Sequence, residues 1–441
     1  MVLKTWIWSS LNEMERTWIQ QRGHAHEVST ELTAAIRDLV EDVRVRGDEA
    51  LCDALKSFDG IDISPDGLLV TEAEFSAAEA AVRADLRAAI RQMIANIRAF
   101  NEALASRRQS WTQELGPGHV VGEVIGPVAS AAVFCPSGKA SYPSVLAQVA
   151  TAAVVAGVPE LIVIVPPVPD GSGAVDPAVL VVARELGIER VFRVNGPAGV
   201  AAAAFGTETI PKVGTIIGPG SPPVALAQLE VRRYGVNSLV LGPTESLIIA
   251  DSSADPALLA ADLLNEAEHG TDSTVLLVTA DAALVKTTDA EVERQAALLP
   301  DERREAAEAA LGSNGGAIVV DDLDTAFEVA NWFSSEHLQL ALADPWAAVD
   351  RITAAGEILV GQTTPLSAGN FAIGAPAALP TGGFASHSSG VTIEAFQKAS
   401  SIGHVTDEAL DTIARSTVVL AEHEGFPAHA NAIRIRGKGD K

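Results

Sequence analysis

Along the first hundred residues, apolar positions return every three or four. Ile36, Leu39, Val40 and Val43 keep that spacing within residues 34–45, which predicts one buried face of a helix. Arg46-Gly47-Asp48 then supplies a stop and a new start. Residues 75–104 are alanine-rich with similar spacing and predict more helix. From Val121 the texture changes to short β-branched runs between alanine-rich stretches. Strands are predicted over 128–134, 161–165, 190–194 and 215–217, with helices over 144–156, 178–185 and 199–205. Strands over 238–241 and 246–249, a helix from Asp255 to about Glu268, and strands over 274–278 and 317–320 extend the alternation. Such alternation predicts parallel sheet with crossover helices. Residues 361–390 are rich in Gly, Pro, Ala, Ser and Thr with little period, the signature of a functional loop. Helical periodicity resumes at Val391 and Glu408. The chain therefore reads as a helical segment (1–120), two α/β modules (121–236 and 237–390) and a helical tail (391–441).

Composition narrows the function. At 441 residues the chain exceeds what one core sustains. Its formal charge of 31 − 57 = −26 would repel nucleic-acid phosphate and anionic lipid. Two cysteines, Cys52 and Cys135, exclude a disulfide framework or a Cys-based zinc finger. The first twenty residues lack a signal-peptide pattern, and the apolar run around 149–158 is short of the roughly 20 residues of a membrane helix. A soluble, reduced, cytoplasmic protein is expected.

Chemistry gathers around a few of the nine histidines. His24, His26, His119, His387, His404 and His423 have uninformative neighbours. Glu266 and His269 stand three apart at a predicted helix end, with Gly270 following. They therefore project from one face, a spacing that recurs in metal sites and also in ordinary acidic helix ends. Glu336-His337 follows Trp332-Phe333. Apolar bulk raises a carboxyl pKa and imidazole titrates near neutrality, so the pair suits acid–base work, or is an ordinary helix end. His429, near the C-terminus, is either idle or a distant metal ligand. The loops at 135–143 and 218–221 each follow a predicted strand, where open α/β sheets bind ligands. Neither has Walker or G-x-G-x-x-G spacing.

Taken together, eight colinear motifs resemble the histidinol dehydrogenase family over nearly the whole chain: Arg46-Gly47-Asp48-Glu49-Ala50-Leu51, residues 135–143, Ala204-Phe205-Gly206-Thr207-Glu208, Gly218-Pro219-Gly220, residues 262–270, Ser335-Glu336-His337-Leu338, Leu379-Pro380-Thr381 and Ala428-His429. The resemblance implies an α/β fold of two incomplete Rossmann-like domains with helical N- and C-terminal segments. It implies a homodimer with exchanged tails and shared sites, and a zinc- and NAD-dependent enzyme that oxidises an alcohol through aldehyde to carboxylate. Sulfopropanediol dehydrogenases are relatives on the same scaffold. It places metal ligands on Glu266, His269, Asn370 and His429, and the catalytic pair on Glu336 and His337. Substrate contacts fall on Thr244 and Glu424, and NAD contacts on Phe134, Ala198 and Ser221. Glu266 stands where the family has Gln and Asn370 where it has Asp, so one carboxylate, one amide and two imidazoles remain. Phe134, Ala198 and Ser221 replace Tyr, Gln and Asn, and Pro376-Ala377 replaces Asn-His. The expectation is an NAD-linked, zinc-dependent dehydrogenase acting on a small polar alcohol other than L-histidinol. Two alternatives stand beside it: a true L-histidinol dehydrogenase with unusual substitutions, and a paralogue using the metal site for binding or non-redox chemistry.

Overall fold

A computed structural model describes residues 3–22, 29–137, 141–239 and 242–436. His24, His26, the middle of the 135–143 loop and the end of the strand expected over 238–241 lie outside the described residues. The chain forms two compact units, one of residues 1–102 and 128–396, the other of 103–127 and 397–441. The strands are β1 (Thr5–Ile7), β2 (Trp111–Gly116), β3 (His119–Pro127), β4 (Ser130–Phe134), β5 (Glu160–Val165), β6 (Val191–Arg193), β7 (Thr215–Ile217), β8 (Asn237–Leu239), β9 (Glu245–Ala250), β10 (Thr274–Thr279), β11 (Gly316–Val319), β12 (His337–Ala341), β13 (Glu357–Val360) and β14 (Gln397–Val405).

The first unit holds two parallel sheets, ordered β6-β5-β4-β7-β8 and β1-β11-β10-β9-β12-β13. This is a mixed α/β fold with parallel, Rossmann-like sheets. Both faces of each sheet are covered, so the strands are continuously apolar rather than alternating. In β9, Leu247 and Ile249 join one core while Ile248 and Ala250 join the other. The core of the five-stranded sheet extends to Ile36, Val40, Val43, Leu51 and Leu55 of the N-terminal helices.

Side-chain capping sets several of the helix starts. Asp176, Asp255, Asp281 and Asp322 each accept a hydrogen bond from a first-turn amide, as N-cap residues do. Gly47, at φ +58°, ends helix Thr30–Arg46 and lets helix Asp48–Ala54 begin at once. A side chain there would strike the Glu208 carboxylate, which accepts from the Asp48 amide.

The structure departs from the helical periodicity in four places. Residues 75–104 form two helices, Glu72–Ala81 and Ala84–Arg107, because Val82 turns extended and buries its side chain. Near the N-terminus Thr5–Ile7 is a strand, since its backbone completes the edge beside β11. Residues 391–405 form no α-helix: Ile393–Phe396 is a short 3₁₀ turn and Gln397–Val405 is β14, which pairs antiparallel with β3 in the second unit. And Glu336-His337 does not end a helix. That helix stops at Phe333, Ser334 takes φ +55°, and His337 opens β12.

The second unit is the three-stranded antiparallel sheet β14-β3-β2 followed by helices Asp407–His423 and Pro427–Arg434. Among the described residues no helix is long and apolar enough to cross a membrane.

Candidate active site

In the six-stranded sheet, β9 is flanked by β10 on one side and β12 on the other. The chain order reverses there. Ligands of such sheets usually lie beyond the carboxyl ends of the strands, yet here the chemistry sits at the opposite edge. Glu245 is the first residue of β9, His337 of β12 and Glu357 of β13. The register pairs His337 with both Ser246 and Glu357. The crossover helix Pro256–Ala267 is joined to β10 by a short loop, and the charge of Glu266 in its last turn acts on both Glu336 and His337.

His337 is 2% exposed. Its Nδ1 lies 2.9 Å from Glu357 Oε2, and its Nε2 3.8 Å from Glu336 Oε1. Glu336 Oε2 accepts from the Glu245 amide at 3.0 Å, and Thr244, half-buried, is the next residue back. Arg22 crosses underneath: it donates from Nε and Nη2 to the Glu245 carboxylate and from Nη2 to the Phe333 carbonyl at 2.8 Å. Its guanidinium lies 4.1 Å from the Phe333 ring centroid. Burial pushes the Glu336 carboxyl up to about 8, against the pull of His337 and the Glu245 amide. Burial works the other way on His337, but Glu336, the Glu357 hydrogen bond and the charge of Glu266 outweigh it and raise the imidazole to about 10. Both shifts are upward, so the two groups give up their protons only above the usual carboxylate and imidazole ranges.

Glu266 is fully buried. Its Oε1 accepts from Asn265 Nδ2 at 2.6 Å and from Asn370 Nδ2 at 2.9 Å. Its Oε2 has no hydrogen-bond partner and lies 3.8 Å from Nε2 of the half-exposed His269. Ligand atoms of a tetrahedral zinc ion stand about 3.3–3.5 Å apart, so this orphan oxygen and the imidazole fit one ion after a small side-chain shift. Four residues N-terminal on the same helix, Asp262 accepts from Gln339 Nε2 at 2.7 Å, and burial raises its carboxyl. Among the described residues no three His, Cys, Asp or Glu side chains form a metal cluster. The structure thus brings Glu266, His269 and Asn370 together. His429 and Glu424 belong to the second unit, exposed on and just before its last helix.

The expected NAD contacts gather at the five-stranded sheet, where β4 lies between β5 and β7. This reversal does have its loops at the carboxyl ends of the strands. Phe134 ends β4 but is only 1% exposed, and its ring abuts Gly196 and Gly220. Gly218, at φ +153°, passes so close that a Cβ would lie 2.0 Å from the Phe134 carbonyl oxygen. Ala198 is fully buried in helix Gly196–Phe205. Only Ser221, the N-cap of helix Pro222–Arg232, is exposed. Two of the three side chains, Phe134 and Ala198, are therefore buried.

Arg22, Glu245 and Glu357 had no expected role. The signal for the two glutamates was a charged residue at the head of an otherwise apolar strand. For Arg22 there was none, because its partner is 223 residues away.

Fold and site give an α/β protein with a buried carboxyl–imidazole pair, and the comparisons with known proteins supply the class and the family. The family model described as histidinol dehydrogenase matches residues 22–437. A histidinol dehydrogenase of Synechococcus sp. is 42% identical over 96% of this chain and 96% of its own length. A protein of Colwellia psychrerythraea described as a histidinol dehydrogenase homolog is 37% identical over 90% of this chain and 89% of its own. The crystal structure of histidinol dehydrogenase from Elizabethkingia anophelis superposes with a TM-score of 0.91 at 32% identity, covering 98% of both chains. The chain belongs to the histidinol dehydrogenase family. It is therefore a dehydrogenase of that family, the class for which the sequence implied NAD as hydride acceptor.

Proposed function

We propose that this protein oxidises a small polar alcohol other than L-histidinol, with NAD as acceptor and a zinc ion held by Glu266, His269, Asn370 and His429, on a scaffold of two incomplete Rossmann-like domains. The observation that carries the reading is the buried Glu336-His337 pair sharing one sheet edge with the unpartnered Glu266 Oε2. His337 Nε2 takes the hydroxyl proton as hydride leaves, which requires the neutral imidazole, so turnover rises with pH. If the aldehyde goes on to the acid, Glu336 in its ionised form activates water. Thr244, adjoining the amide that holds Glu336, contacts the substrate. Zinc, when bound, supplies Lewis-acid polarisation of the substrate oxygen, and Asn370 both steadies Glu266 through Nδ2 and offers its amide oxygen.

The exposed apolar side chains of the second unit, among them Leu115, Val419, Leu420, Phe426 and Ile435, support a homodimer. In it the tail, with Glu424 and His429, completes the other subunit's site. A second reading, L-histidinol itself, is favoured by the 42% identity to a protein described as histidinol dehydrogenase. Ala377 argues against it, since a methyl group stands where an imidazole substrate would need a polar partner. A panel of L-histidinol, other amino alcohols, glycerol and 2,3-dihydroxypropane-1-sulfonate, followed by NADH absorbance with metal analysis of the same sample, decides between them. Faster turnover of L-histidinol than of every other alcohol overturns the preferred substrate class. Protein that stays metal-free after zinc is supplied overturns the zinc assignment.

A further inference from the structure

Beneath His337 lies a group that neither motif nor resemblance marked. Glu357 opens β13, directly opposite His337 in the parallel register. Its side chain is buried, and its Oε2 meets His337 Nδ1 at 2.9 Å. A carboxylate only accepts, so Nδ1 carries the proton and Nε2 is the nitrogen left for exchange. That nitrogen is the one on the Glu336 side. The contact is built in: Gly369 lies against the carboxylate, and a Cβ there would come within 2.9 Å of Oε2 and 3.1 Å of Oε1. Glu357 Oε1 has no hydrogen-bond partner. A strand head that buries a carboxylate needs a reason, because an apolar residue would pack there without the desolvation penalty.

We propose that Glu357 is the positioning residue of this site, holding His337 through Nδ1 so that Nε2 faces the substrate and stabilising the imidazolium formed when the alcohol proton arrives. The inference rests on the proposed role of His337 in proton transfer. The groups facing the imidazole are Glu336 beside it in the chain, Glu357 from β13, Ser246 from β9, and Glu266 from the crossover helix. Of these, only Glu357 is hydrogen-bonded to the ring.

The test uses full-length protein and four variants: Glu357→Gln, Glu357→Ala, His337→Ala and the double variant His337→Ala/Glu357→Ala. The ¹⁵N resonances of His337 are titrated in wild type and Glu357→Gln, which keeps shape and an accepting oxygen but removes the charge. The expected result is a titration midpoint lower by at least about one pH unit in Glu357→Gln, the size of a lost adjacent carboxylate. Turnover is measured with whichever alcohol of the panel gives the fastest NADH formation. Glu357→Ala should lower kcat by about 10–10³-fold with KM nearly unchanged, and the double variant should be no slower than His337→Ala alone, as for residues acting as a unit. An unchanged midpoint in Glu357→Gln, or losses in the double variant that multiply, overturns the positioning role. Should Glu357→Ala not fold, the Glu357→Gln titration still decides. If instead His337→Ala turns over as wild type while the midpoint moves, the proton-transfer reading fails and the Glu357 contact stands.

Discussion

The two parallel sheets of the first unit share an architecture and differ in what they do with their edges. The five-stranded sheet reverses its chain order beside β4, and there backbone packs closely: Gly196 and Gly220 lie against the Phe134 ring and Gly218 against its carbonyl. The six-stranded sheet buries Glu245, Glu266, Glu336 and Glu357 at one edge, with Arg22 and His337 as the cations facing them. The two sheets thus differ in what they bury: charged side chains gather at one edge of the six-stranded sheet, while the one carboxylate that heads a strand of the five-stranded sheet, Glu160, is paired with Arg190 near the surface. Fold class says little about where chemistry lies; which side chains a sheet edge buries says much more.

The comparison breaks most visibly at His337. Replacing it by Ala should cut turnover by about 10²–10⁴-fold while metal content stays constant; a variant as fast as wild type would return the charged edge to a structural role. Glu336→Gln should slow the aldehyde-to-acid step more than the alcohol step, seen as aldehyde accumulating in the assay.

The next effect is on stability. Arg22 and Glu245 form a buried pair, 3% and 1% exposed in their side chains. Arg22→Met leaves the glutamate charge uncompensated and should destabilise by about 3–5 kcal/mol, while Arg22→Met with Glu245→Met should recover most of the loss. Denaturant unfolding of the three proteins checks this, and equal stability of the single and double variants counts against it.

A third experiment uses pH. In metal-free protein both Glu336 and His337 hold protons more tightly folded than unfolded. Their stabilisation of the folded state is therefore complete below their unfolded pKa values, near 4.5 for the carboxyl and 6.5 for the imidazole, and is lost as pH climbs through about 8 and about 10. Melting temperature should fall between pH 5 and pH 10, and Glu336→Gln should flatten the lower part of that fall. A melting curve that rises across this range would be the opposite sign.

The smallest effects compare glycines of the two sheets. A Cβ at Gly356 would lie 2.6 Å from the Glu336 carbonyl oxygen, which is backbone and cannot swing away. Gly356→Ala should destabilise by about 1–3 kcal/mol and disturb turnover. Gly214, before β7, has open space around its Cα, so Gly214→Ala should change stability by less than about 0.5 kcal/mol.

Sequence alone carried the alternation of strand and helix, the run of apolar strands, the helix stop at Gly47 and the family, because each is a local pattern of side-chain type along the chain. It also placed Glu266, His269 and Asn370, which the fold does bring together, and marked Glu336-His337 as a reactive pair. The alternative of an ordinary helix end for that pair fails, since a strand of five residues leaves no helical or alternating period to read, and residues 397–405, read as part of a helical tail, pair with β3. Tertiary structure alone decided that the acids meet at the amino edge of the sheet, that Arg22 neutralises a strand head 223 residues away, and that Glu357 holds His337. Those contacts join residues whose spacing carries no period. Only folding, by burying a charge, obliges it to find its partner.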